Sequence, residues 1–183
     1  MDLVDLMVEK RFVGQEFLTW LWWKSEERGG SIALASEGDI TVAFEKHMLL
    51  ESGEGQSSEK IVCTGLQTEL QEARTGLQMG KKLEHARIVI GHNSHEYSFT
   101  LAGALMEYRN IRLPKTEATE KDKSENPEEI EGMILERIYL FEELDRIVTT
   151  LFRMYLKVRL GVQWRDELLK IRHWVAKMAV VSQ

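Results

Sequence analysis

The stretch Phe12 to Glu26, FVGQEFLTWLWWKSE, constrains this chain more than any other. It holds three of the five tryptophans (Trp20, Trp22, Trp23) together with Phe12, Phe17, Leu18 and Leu21. Aromatic side chains bury more apolar area than any others, so such a segment does not stay in water. Gln15 to Glu27 has helix length, with Gly14 before it and Gly29-Gly30 to stop it. On a helix, Phe17, Trp20, Leu21 and Trp23 lie toward one side, and Leu18 and Trp22 toward the other. A helix apolar nearly all round belongs inside a core or against a partner, and a core helix is the expectation. The apolar run is too short to span a membrane, and Glu16 and Lys24 bracket it.

With 183 residues, 43% of them hydrophobic, the chain has material for one sizeable core, either one domain or one domain with a helical extension. Cys63 is the single cysteine, which excludes an intramolecular disulfide and a four-cysteine zinc site. The opening MDLVDLMVEK carries Asp2, Asp5 and Glu9 where a signal peptide has a basic region, so a soluble intracellular protein is expected. The net charge of −6 conceals an asymmetry. Residues 1–114 hold 12 basic against 17 acidic side chains, residues 115–145 hold 4 against 11, and residues 146–183 hold 8 against 2. The C-terminus is locally basic, and a polyanion responds to local charge.

Along the chain, Leu3, Leu6 and Met7 predict a short amphipathic helix over Met1 to Lys10. After the aromatic helix come strand patterns at Ser31 to Ala35 and Ile40 to Glu45, with His47 to Glu51 continuing the sheet after a tight bend. The polar SGEGQSSE reads as a loop, and Lys60 to Thr64 as a further strand. Leu66, Leu70, Ala73 and Leu77 recur at helical spacing, with Gly80 near the end of that helix. ARIVI (86–90) and YSFTL (97–101), separated by GHNSHE, predict a hairpin, and a strand-like piece ends at Ile111 to Pro114. Residues 115–126, KTEATEKDKSEN, read as a solvated acidic linker. Pro127 then starts a long helix ending near Leu160 and Gly161, with a continuous stripe of Ile134, Ile138, Phe141, Leu144, Val148, Leu151, Tyr155 and Val158. A last helix runs Gln163 to Lys177, with Trp164 on its apolar face and Trp174 open between a core and a stacking role.

Few residues point to chemistry. His92-x-x-His95 has a spacing that binds metal on a helix, but it lies in a hairpin and reads as a surface loop. Gly76 to Lys82 departs from a phosphate loop in its spacer and lacks a Ser or Thr after the lysine. Acid pairs such as Glu142-Glu143 point to different sides of a helix. Glu69, Glu72 and Glu84 are not compelled to meet. No enzyme, cofactor or metal is expected; a metal-dependent nuclease would need a carboxylate cluster that the spacing does not supply.

The basic C-terminus is the better signal. Arg146, Arg153 and Lys157 share a helical face, as do Lys170, His173 and Lys177, with Arg165 and Arg172 in a second row. Such faces can follow a phosphate backbone. An ordinary solvated surface accounts for them equally well, and a third use is to neutralise the acidic 115–145 segment, within the chain or across a dimer. Without a helix-turn-helix, zinc finger or aromatic RNA-binding motif, any nucleic-acid contact is expected to be non-specific.

Several pieces, in order and at similar spacing, resemble the C-terminal half of the recombination-associated protein RdgC family. They are FLTWLWWKSE (17–26), ITVAFEKHMLLE (40–51), GKK (80–82) with ARIVI and YSFTL, NIRLP (110–114) and ILERIYLFEELDRIVTTLF (134–152). The resemblance implies a bacterial, nucleoid-associated, cytoplasmic α+β protein that binds DNA without sequence preference, forms a homodimer and acts on RecA-dependent recombination, with a recombinase as a possible protein partner. It does not extend to the family's N-terminal half, so ring closure does not carry over, and the basic last helix lies outside it.

The expected architecture is α+β. An antiparallel sheet (31–64 and 86–113) is packed by the aromatic helix and the 66–79 helix, giving a sheet domain over 1–114. The acidic linker, 115–126, leads to a helical hairpin over 127–183 that packs on the sheet domain or a partner. The expected phosphate contacts are Lys81, Lys82, Arg153, Lys157, Arg165, Lys170, Arg172 and Lys177. The alternative is an interaction or scaffold module that dimerises through the aromatic or C-terminal helices, without DNA.

Overall fold

The computed structural model describes residues 12–35, 38–52, 59–64, 68–115 and 126–177; the expected 1–10 helix and most of the 115–126 linker lie outside them. The elements are α1 (Phe12–Glu27), β1 (Ser31–Leu34), β2 (Gly38–Ser52), β3 (Glu59–Thr64), α2 (Thr68–Gln78), β4 (Lys82–His92), β5 (His95–Ala102), β6 (Glu107–Arg112), α3 (Pro127–Arg159) and α4 (Trp164–Lys177). The fold is α+β, and the six strands form one sheet. Its main path is β1-β2-β4-β5-β6, every pairing is antiparallel, and β3 takes the other half of the β2 edge that β1 occupies.

Period-two alternation decides which face is covered. Ile40, Val42, Met48 and Leu50 of β2, Ile88 and Ile90 of β4, and Tyr97, Phe99 and Leu101 of β5 are buried beneath the helices. Thr41, Ala43 and Glu45 on the opposite face are exposed. The bend expected before His47 is a bulge inside one long strand: Phe44 pairs with Ile88 but Met48 pairs with Ala86, so β2 gains two residues over β4. The bulge keeps Met48 and Leu50 on the core side. β4 turns into β5 through Asn93-Ser94, both at positive φ (47° and 65°), as a two-residue hairpin loop requires.

α1 is the centre of the core. Phe17, Leu18, Trp20, Leu21, Trp22 and Trp23 are each at most 3% exposed. It lies on β4 with one side and meets α3 and α4 with the other, through Phe17 against Phe152 (ring centroids 5.2 Å apart), Trp20 against Tyr155 (5.7 Å) and Trp22 against Trp174 (5.2 Å). The role open to a partner is therefore taken by the chain's own C-terminal hairpin, which shares one core with the sheet. Both α1 and α2 end in Schellman motifs: Gly30 N donates to Ser25 O and Gly29 N to Glu26 O, and Lys81 N donates to Gly76 O and Gly80 N to Leu77 O.

Gly14, expected to precede α1, lies inside it and touches the β5–β6 turn so closely that an added Cβ would sit 1.8 Å from Gly103 O. No rotamer relieves a clash with a backbone carbonyl. Gly14→Ala is expected to cost about 3 kcal/mol in urea unfolding, the upper end for overpacking; a loss below about 0.5 kcal/mol would show that the contact opens freely.

Candidate functional site

The predicted phosphate contacts separate into two groups. Arg153 and Lys157 on α3 and Arg165, Lys170, Arg172 and Lys177 on α4 are exposed, and so is Lys82 at the start of β4. Among the described residues none of these seven is in an ion pair. Lys81 is the correction. It is 6% exposed, and its Nζ donates to Glu59 Oε2 (2.8 Å) and Ser52 Oγ (3.2 Å), so its charge is spent inside the fold. The Schellman cap turns it inward there while Lys82, the next residue in the strand, faces out.

α4 presents its bases on two flanks of one exposed ridge. Trp164, Leu168, Ile171 and Val175 face the core, which leaves Arg165 and Arg172 on one side of that stripe and Lys170 and Lys177 on the other. The Lys170 flank borders a groove against the end of α1, lined by Trp23, Glu26, Glu27, His173 and Trp174. Glu26 is itself held: Trp22 Nε1 and Trp174 Nε1 donate to it (2.9 Å each), and Arg74 pairs with it. Trp174 is thus half-buried and packed against the core, edge-on to Trp22 at 86°. Trp164 packs edge-on to Tyr155 and lies beneath the Arg159 guanidinium (4.8 Å).

The second cluster was not anticipated. His92, expected on a surface loop, is 4% exposed, and its Nδ1 lies 2.8 Å from Glu143 Oε1. The Asn93 amide nitrogen lies 3.1 Å from Nε2, the other ring nitrogen. Tyr97 Oη donates to Glu143 Oε2, and His95 Nδ1 is 3.5 Å from the same oxygen. Burial is the largest influence on Glu143 and pushes its carboxyl up, but the hydrogen bonds from Tyr97 and His92 and the attraction of His92 outweigh it, so the net shift is down. Burial, and then the bond to Glu143, push the Tyr97 phenol far above its ordinary value. The arrangement pins α3 to the β4–β5 hairpin. Among the described residues no group of three His, Cys, Asp or Glu is arranged to hold a metal ion. The sequence did carry one cue: Glu143 stands between Leu140, Leu144 and Ile147 on the buried side of α3, where a carboxylate needs donors.

No family model, no curated protein and no solved structure matches this chain. No helix among the described residues is long and apolar enough to cross a membrane.

Glu143→Leu leaves His92 and Tyr97 without their acceptor and is expected to cost about 3 kcal/mol in urea unfolding near neutral pH. The sign with pH follows from the lowered folded value. The contribution of Glu143 is complete above the unfolded carboxylate's pKa, about 4.3, and is lost as pH falls through the folded value. Glu143→Gln is expected to flatten that acid limb; a limb of unchanged steepness would mean that other carboxylates carry it.

Proposed function

We propose that this chain binds DNA through phosphate contacts, without sequence preference, as an accessory protein of recombination or replication, at the nucleoid of a bacterial cytoplasm. The observation that carries the reading is the unpaired basic surface of the last two helices, Arg153, Lys157, Arg165, Lys170, Arg172 and Lys177, in a chain whose overall charge is negative. A net-acidic protein that leaves six bases in water on two consecutive helices has a local potential that attracts a polyanion. Each phosphate contact releases counterions, which supplies affinity without reading bases. Among the described residues none of these six bases is in an ion pair. Lys82 extends the contact set, and Lys81 leaves it.

A second reading is an interaction module without DNA, favoured by the uncovered apolar first half of α3, where Ile134, Leu135 and Tyr139 are all more than half exposed. Fluorescence anisotropy with a labelled random duplex across a salt series separates the two. For DNA binding, log K against log salt is expected to slope by about −5 for six phosphate contacts. Reversing Arg165, Lys170, Arg172 and Lys177 to Glu together is expected to weaken binding at every sequence and flatten the slope by about 4. Affinity unmoved by the reversal would remove this face, and no binding at low salt by the folded chain would select the interaction module.

A further inference from the structure

The sheet face turned away from the helices carries a cleft at one corner. Strand alternation puts Arg87 and Val89 of β4 and Ser98 of β5 on that face, because their neighbours Ala86, Ile88, Ile90, Tyr97 and Phe99 are buried in the core. Leu113, Pro114 and Lys115, where the chain leaves β6, line its side. The cleft holds about 460 Å³, within the range of small-ligand sites.

Its polar groups converge from three neighbouring strands. Ser98 pairs in register with Val89 on one side and with Arg112 on the other. Arg87 donates from Nε to Glu45 Oε2 (2.8 Å) and from Nη2 to Ser98 Oγ (3.0 Å), so its guanidinium is fixed before any ligand arrives. Its Nη1 has no hydrogen-bond partner among the described residues and remains a donor. Ser98 Oγ accepts from Arg87, which leaves the hydroxyl proton for another acceptor. Arg112 and Lys115 are exposed and in no ion pair among the described residues. Glu45 answers the charge of Arg87, and Glu96 at the rim stands against Arg112 and Lys115 together. The cleft is therefore net positive in a chain whose net charge is −6.

Two guanidiniums, an ammonium and a hydroxyl match a group with several oxygens and more than one negative charge. The apolar side chains of Val89, Leu113 and Pro114 beside them call for a body attached to that group. We propose that this cleft binds a small organic phosphate monoester, of about mononucleotide size, with its phosphate between Arg87, Arg112 and Lys115 and its body against Leu113 and Pro114. The helices pack on the other face of the sheet, so the site is separate from the bases of α3 and α4 and goes beyond DNA binding.

Calorimetric titration of the full chain with adenosine monophosphate and with ribose phosphate, at fixed ionic strength and without DNA, tests it. Saturable binding is expected, with adenosine, which lacks the phosphate, at least about tenfold weaker. Arg112→Ala with Lys115→Ala, at exposed positions, is expected to weaken binding at least about tenfold with an unchanged far-ultraviolet spectrum. Reversing Arg165, Lys170, Arg172 and Lys177 to Glu is expected to leave it unchanged, so failure here and failure of the DNA reading are seen separately. Four results would overturn the proposal: no saturable binding of either phosphate at millimolar concentration by the folded chain, equal affinity for adenosine, indifference to the Arg112 and Lys115 changes, or loss of binding in the α4 reversal. Displacement of the nucleotide by a random duplex would overturn it too, by giving the cleft to a nucleic-acid phosphate.

Discussion

The fold depends on one helix being surrounded. α1 carries large apolar side chains on all its sides, and one layer cannot bury them. The sheet covers one side, through β4, and leaves Phe17, Trp20 and Trp22 needing a second cover. α3 and α4 provide it with Phe152, Tyr155 and Trp174, which meet those rings edge-on or tilted, as aromatic quadrupoles prefer, and Trp164 packs edge-on behind Tyr155. The C-terminal hairpin is therefore a constituent of the core and not an appendage. One further consequence is that all four helices gather on one face of the sheet, leaving its other face, with Thr41, Ala43 and Glu45, to water.

How much of this was legible depends on whether the signal was local. Element type and order followed from periodicity, from the Gly29-Gly30 and Gly80 caps and from Pro127, all of which act within a few residues. Tertiary accidents were not legible. Gly14 reads locally as a helix flank but lies in the first turn of α1, and its close contact with Gly103, on a distant turn, has no local signal. The turn after β4 announced a loop, and a histidine in a loop reads as exposed until α3 lays Glu143 over it. Lys81 and Lys82 are indistinguishable as sequence, yet the strand's alternation gives one to Glu59 and the other to solvent. The α3 stripe was the reverse case: its periodicity is continuous, but the core ends before the helix does, and Ile134 and Ile138 remain uncovered.

A rule of polar satisfaction links the interior to the charge distribution outside. Tyrosine, tryptophan and histidine bring apolar area into a core together with a donor that must be answered. Here the answers are carboxylates: Glu26 for Trp22 and Trp174, Glu16 for Tyr155, Glu143 for Tyr97 and His92, and Asp145 for Tyr108. Among the described residues Trp20 Nε1 is a buried donor without a hydrogen-bond partner. Acids on α1 and α3 are thereby drawn inward to hold the aromatic layer, and Arg159 and Arg74 follow them into pairs with Glu16 and Glu26.

What remains on the surface is the residue of that requirement. Arg153 and Lys157 on α3 and Arg165, Lys170, Arg172 and Lys177 on α4 are in no ion pair among the described residues, and these bases stand in water. Glu128, Glu129 and Glu131 at the start of α3 are exposed and stand in water too. A helix that changes sign where it enters the core is the expected product of a core that consumes carboxylates. That polarity, and not the total charge of −6, is what any partner of this surface meets.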